Sequence, residues 1–225
     1  MNRNYHAFCA MLLAFVLILV MCSQLVKDTF VRASTQKVIY LTFDDGPSDR
    51  VTPKILDVLK EENVKATFFI VGNAAENRKY LLEREFSEGH TIAVHSYSHI
   101  YSKIYSSTEN LLTDIDKCNE VIKSVTGSYS SIYRFPGGSF GLSNGLIEAV
   151  TAHGMNYIDW NASVCDAEYY SAPREILYAN AIDTSKGRDR VILLAHDSTT
   201  KTTTAKALKD IIRYFKSQNY VFKTF

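Results

Sequence analysis

Residues 38–46 read VIYLTFDDG, a strand-like apolar run from Val38 to Phe43 that stops at two adjacent carboxylates, Asp44 and Asp45, and a glycine. A helical segment follows directly. Arg50–Asn63 carries Thr52-Pro53 as its N-terminal signal and Ile55, Leu56, Val58 and Leu59 on one face. The same alternation then repeats along the chain. Ala66–Val71 is β-rich, Asn73–Glu88 is helical up to Gly89, and Thr91–Val94 is a short strand. Ser107–Val125 reads as a long helix ending at Gly127, Ser131–Phe135 as a strand, and Ser143–His153 as a helix ending at Gly154. Asn156–Trp160 and Arg190–Ala195 are strands, Pro173–Ala181 and Lys201–Ser217 are helices, and Tyr220–Phe225 is a last strand. Strands that alternate with crossover helices give an α/β domain with a mostly parallel sheet. About seven strands and six helices suit a deformed, incomplete (β/α) barrel; an open doubly wound sheet is the alternative.

In both architectures working residues collect at the C-terminal ends of the parallel strands. Here the reactive side chains fall at those ends: Asp44-Asp45, then His95 and His99, Arg134, Asp159 and Asp166, and finally His196-Asp197. His95 and His99 have i, i+4 spacing, which lets both imidazoles face one cation. The Asp44-Asp45 pair is the obvious source of a third ligand. Two histidines, one carboxylate and open positions make a catalytic metal site rather than a structural one. Neighbouring side chains diverge, so one aspartate can bind metal while the other takes a proton from water. His90 and His153 read as satisfied core histidines.

Composition narrows the function classes. The chain has 225 residues, 46% hydrophobic and 22% charged, with a formal net charge of +1. Without residues 1–33, which carry Arg3, Lys27, Arg32 and Asp28, the balance becomes −1. No basic excess argues for nucleic acid as a partner. Cys9, Cys22, Cys118 and Cys165 have no close spacing, so neither a zinc finger nor a disulfide framework is expected. Ala7 to Cys22 is an unbroken apolar run, and no formally charged residue stands between Arg3 and Lys27. As a helix continued to Val26 it would rise about 30 Å, the hydrocarbon thickness of a bilayer. Residues 1–26 are therefore expected to be a membrane anchor or a signal peptide, residues 27–36 a linker, and residues 37–225 the catalytic domain. Either reading exports the domain; Val31-Arg32-Ala33 resembles a cleavage site, distant from the run.

Five short motifs carry a resemblance. Thr42-Phe43-Asp44-Asp45-Gly46-Pro47, Gly89-His90 with His95-Ser96-Tyr97-Ser98-His99, Arg134-Phe135-Pro136-Gly137-Gly138, Trp160 to Asp166, and Leu194-Ala195-His196-Asp197 occur in that order. The chain resembles the NodB-homology polysaccharide deacetylases, carbohydrate esterase family 4, from about Val38 to Phe225. The resemblance implies a deformed (β/α) barrel. It implies that Asp45, His95 and His99 bind zinc or another divalent metal (cobalt, nickel or manganese). Asp44 would be the general base, held by Arg134. His196 would protonate the departing sugar amine, with Asp166 as its partner and Asp159 as the rival for that place. The Gly137 N–H would help to hold the oxyanion, and Leu194 would line the acetyl pocket. Two positions depart from the family pattern: Gly137 stands where an aromatic residue is frequent, and Ala167 follows Asp166 where tryptophan is frequent.

The resemblance implies a metal-dependent deacetylase of N-acetylated amino sugars in a cell-wall polysaccharide, with peptidoglycan as the expected substrate. An O-acetyl esterase of the xylan type would use the same site. A non-catalytic carbohydrate-binding homologue could lose ligands freely, whereas here every metal, base and acid position is filled. The protein is expected to act as a monomer, tethered outside the cytoplasm or secreted after cleavage.

Overall fold

A computed structural model describes residues 15–23, 36–169 and 172–225. The chain divides into two units, Met1–Gln36 and Lys37–Phe225. In the first, residues 15–23 form an exposed helix. The rest of the Ala7–Cys22 run and Val31-Arg32-Ala33 lie outside the described residues. Among the described residues, no helix is long and apolar enough to cross a membrane.

The second unit is built on an eight-stranded parallel sheet. Its strands are β1 (Val38–Asp44), β2 (Thr67–Val71), β3 (Thr91–Ser96), β4 (Ile132–Tyr133), β5 (Asn156–Tyr157), β6 (Ala162–Ser163), β7 (Arg190–His196) and β8 (Val221–Lys223). Seven of them run in the order β5-β4-β3-β2-β1-β7-β6, and β8 pairs with the first half of β1. The outcome is the curled, incomplete barrel expected, in which β1 pairs with three strands, β2, β7 and β8. Its helices are α1 (Thr52–Glu61), α2 (Gly72–Glu76), α3 (Lys79–Ser87), α4 (Tyr101–Ile104), α5 (Thr108–Thr126), α6 (Asn144–Ala152), α7 (Arg174–Ser185) and α8 (Thr202–Ser217).

Period-two alternation sorts the strand residues between two faces. Ile39, Leu41 and Phe43 of β1 join Phe68 and Ile70 of β2, Ile92 and Val94 of β3, and Val191, Leu193 and Ala195 of β7 in one core with the helices. The intervening residues point the other way, into the curl. They include Thr42, Asp44, His95, Leu194 and His196. Burying each large apolar side chain contributes about 1.5–3 kcal/mol, so this outer core fixes the register of the long strands β1, β2, β3 and β7. Register in turn fixes which polar groups meet inside: Asp44 at the end of β1 lies beside His196 at the end of β7.

Three details differ from the sequence expectation. Residues 73–88 form two helices, α2 and α3, separated around Arg78. Ala162–Ser163 is an additional strand too short to leave a periodic signal. His153 is not a core residue: it is exposed, and its Nε2 lies 2.7 Å from Asp116 Oδ1.

Candidate active site

Two residues at the mouth of the curl have left-handed backbone, which is uncommon outside glycine. They are Asp45, with φ 74°, and His99, with φ 54°. Strain of this kind collects where side chains must be aimed. The bend at Asp45 turns its carboxylate away from the strand axis and towards the two imidazoles. Asp45 Oδ1 lies 3.4 Å from His95 Nε2 and 3.1 Å from His99 Nε2. One donor atom from each of the three residues lies within 4.8 Å of the others, and among the described residues they alone form such a group.

The donor set fits a divalent metal. His95 Nδ1 lies 2.8 Å from the carbonyl oxygen of Arg134, which can only accept. The proton is therefore on Nδ1, and the Nε2 lone pair faces Asp45. Burial opposes ionisation of Asp45, but the facing imidazoles of His95 and His99, when they carry a second proton in the absence of metal, donate to it and hold the carboxyl far below its usual range. The bond to Asp45 raises the pKa of His99 against the opposing effect of burial. Two imidazoles and an ionised carboxylate, with one side open, are a zinc-type catalytic donor set.

Asp44 is buried beside them, with Oδ2 4.0 Å from His95 Nε2. Its other oxygen accepts a 2.8 Å bond from Arg134 Nη1. Arg134 is completely buried. Its Nη1 also donates to Thr42 Oγ1 at 2.8 Å and its Nε to the Ile158 carbonyl at 2.9 Å. Its guanidinium lies 4.0 Å from the centre of the Phe69 ring. The arginine thus holds Asp44 in one orientation and balances its charge away from water.

Across the opening, His196 Nδ1 lies 2.7 Å from Asp166 Oδ1. Asp166 Oδ2 accepts from the His196 N–H at 2.9 Å and from Thr204 Oγ1 at 2.7 Å. Burial lowers the His196 pKa, but the bond to Asp166 and the nearby carboxylates outweigh it and lift it to about 9. Asp159 is bound elsewhere: it accepts from the Ser139 N–H at 3.0 Å and from the Ser139 hydroxyl. Of the two aspartates, Asp166 is the one in contact with His196. Leu194 is buried on β7, and Gly137 is exposed with φ 80°.

Two supporting groups have no role in the sequence reading. Asp114 on α5 accepts from Ser96 Oγ, from the Tyr97 N–H at 2.7 Å and from the Ser98 N–H at 3.0 Å, while Ser96 Oγ accepts from the His99 N–H at 2.8 Å. The loop joining the two histidines is thus hung on a buried carboxylate. The readable signal was an acid on the apolar stripe of Leu111, Ile115 and Cys118. The Ser107 N-cap and the left-handed Gly127 C-cap fix the ends of that helix. Asp114→Ala is expected to weaken the binding of a divalent metal about 10–100-fold, the usual effect of losing an outer partner of metal ligands. Metal titration of the purified variant checks it. Asp197 is the second group. It is fully buried; its N–H donates to the Asp44 carbonyl at 3.1 Å, and its Oδ2 accepts from Thr52 Oγ1 at 2.5 Å. A Cβ at Gly46 would lie 2.1 Å from that same oxygen, so only glycine fits there.

The profile of one family, polysaccharide deacetylase, matches residues 32–158, more than half of the chain. The chain belongs to the polysaccharide deacetylase family. Over 197 residues, 86% of its length, it is 36% identical to the peptidoglycan N-acetylglucosamine deacetylase PgdA of Listeria monocytogenes. It spans only 39% of the length of that relative. Among solved structures, the catalytic domain of a peptidoglycan N-acetylglucosamine deacetylase from Eubacterium rectale is 37% identical. That match has a TM-score of 0.78 and covers 84% of this chain and 88% of the other. A Streptococcus mutans CE4 esterase is 35% identical with the same TM-score, covering 84% and 86%.

Proposed function

We propose that this polysaccharide deacetylase hydrolyses N-acetyl groups on amino sugars of peptidoglycan, with N-acetylglucosamine, the sugar named for two relatives, as the residue attacked. One observation carries the reading: a metal-type Asp-His-His set, a buried carboxylate and a carboxylate-paired histidine face one opening. Asp45, His95 and His99 would hold a divalent metal, which when bound would supply Lewis acidity and favour deprotonation of a water at the site. Asp44, fixed by Arg134, takes the proton from the attacking water. The acetyl carbonyl oxygen gains negative charge as the water adds, and the Gly137 N–H donates to it. His196, kept protonated by Asp166, delivers a proton to the departing sugar nitrogen, whose bond to the acetyl carbon breaks. Leu194 offers an apolar surface for the acetyl methyl. The products are acetate and a free amino sugar.

The test is acetate release from peptidoglycan, N-acetylglucosamine oligomers and O-acetylated xylan, measured side by side. Release from peptidoglycan with an equal gain of free amine supports the proposal. Release from xylan alone would replace it with the esterase reading.

The acid step has a pH signature. A histidine with a raised pKa is protonated below that value and loses its proton as the pH climbs through it. The alkaline limb of activity is therefore expected above neutrality, towards about 9. Asp166→Asn removes the group that holds the proton, so this limb should move down towards the ordinary histidine value of about 6.5. Asp159→Asn should leave it in place. A pH–rate profile of the three proteins distinguishes the outcomes.

We also propose that the domain works outside the cytoplasm, exported by the Ala7–Cys22 run. N-terminal sequencing of protein from the native host, from membranes and medium, tests it. An intact N-terminus in the membrane fraction indicates an anchor, and a start near Ser34 in the medium indicates cleavage.

A further inference from the structure

The residue at 137 has no side chain, yet its place is not open. A Cβ built on Gly137 would lie 3.3 Å from both Cε2 and Oη of Tyr101. Tyr101 begins α4, two residues after His99, and its ring stands edge-on to the His99 ring with centroids 5.4 Å apart. Tyr105, just past the same helix, donates from Oη to the Pro136 carbonyl at 2.7 Å. That bond ties α4 to the loop carrying Gly137, and the two tyrosine rings touch edge to face at 5.9 Å. Tyr101 is therefore held between a metal ligand and the backbone amide assigned to the oxyanion. It is 48% exposed, so its ring borders the opening rather than the core. No hydrogen bond engages its hydroxyl among the described residues, as is also the case for Tyr40, Tyr133, Tyr157, Tyr178 and Tyr214; what sets Tyr101 apart is its place beside His99 and Gly137.

We propose that Tyr101 is a further catalytic residue, whose phenol O–H donates a hydrogen bond to the acetyl carbonyl oxygen beside the Gly137 N–H. The inference rests on the acyl-transfer reading of the site. As water adds to the carbonyl carbon, the C=O π electrons move onto oxygen. Two donors, one backbone amide and one phenol, then share that charge. The phenol proton stays on Tyr101 throughout. An oxyanion needs donors that are already aimed when charge develops, and a tyrosine locked by two neighbours meets that need without reorganising. Gly137 complements it: a Cβ there would crowd the phenol, lying 3.3 Å from Tyr101 Oη.

Tyr101→Phe keeps the ring and removes only the donor. It is compared with the wild-type chain on two substrates, N-acetylglucosamine oligomers and 4-nitrophenyl acetate, with bound zinc measured in both proteins. The expected result is a kcat about 10²–10³-fold lower on both substrates, KM within about twofold and zinc content unchanged. A variant with wild-type kcat overturns the proposal. So does a loss of activity that follows a loss of zinc, which would make Tyr101 a support for His99. Because the ester carries no sugar, wild-type turnover of the ester alone would remove the deacetylase reading and leave the Tyr101 comparison decisive. If the zinc-loaded wild-type chain hydrolyses neither substrate, both ideas fall.

Discussion

Asp45→Asn is expected to lose bound metal and to release acetate at least about 10³-fold more slowly than the wild-type chain. A catalytic metal contributes several kcal/mol to the transition state, and each 1.4 kcal/mol is about tenfold in rate. Asparagine keeps the shape of the side chain and tolerates the left-handed backbone at φ 74°. Alanine there would add backbone strain to the loss of the ligand. What asparagine removes is the negative charge, the part of Asp45 that both His95 and His99 face. Metal content and acetate release should fall together. An Asp45→Asn protein with full metal content and activity would remove Asp45 from the metal site.

Asp44→Asn should behave differently, because Asp44 faces the site and Arg134 together. As the base, its loss is expected to lower turnover about 10²–10⁴-fold while the metal stays bound. The same change strips the fully buried Arg134 of its counter-charge. Removing one partner of a buried pair costs about 3–5 kcal/mol. A fall in Tm should therefore accompany the fall in kcat. Assays well below that Tm separate the two effects. An Asp44→Asn variant equal to wild type in turnover would exclude it as the base, whatever its Tm.

The fold was legible because its central strands are long enough to show a pattern. Val38–Phe43, Ala66–Val71 and Val191–Ala195 are largely apolar, and the helices between them carry one apolar face. The edge of the barrel was less legible. β4, β5 and β6 pair over two residues each, and two residues cannot display a period. Their places are set by backbone bonds to longer neighbours, such as the Arg134 N–H to the Val94 carbonyl at 3.0 Å. The residues gathered at the rim were legible from strand order alone, because a parallel sheet brings every strand's C-terminal end to one side.

The supports behind the rim were not legible. Asp114 lies 15 residues beyond His99 on a helix, and only tertiary packing brings it under the histidine loop. Tyr101 carries no motif in the sequence, and only the packing of its ring against Gly137 draws attention to it. The choice between Asp159 and Asp166 likewise needed the turn after β6. That turn carries Cys165 at φ 58° and sends Asp166 to His196 while Asp159 stays with Ser139. Local sequence cannot specify such a change of direction.

The central claim is that this chain removes N-acetyl groups from peptidoglycan through a metal at Asp45, His95 and His99. It is tested most directly by stripping the purified 225-residue chain with a chelator, restoring zinc stoichiometrically, and following acetate and free amine from peptidoglycan at each stage. The account predicts activity that disappears with the metal, returns at about one zinc per chain, and yields acetate and amine in equal amounts. Undiminished acetate release from the metal-free chain, or acetate without new amine, would contradict it.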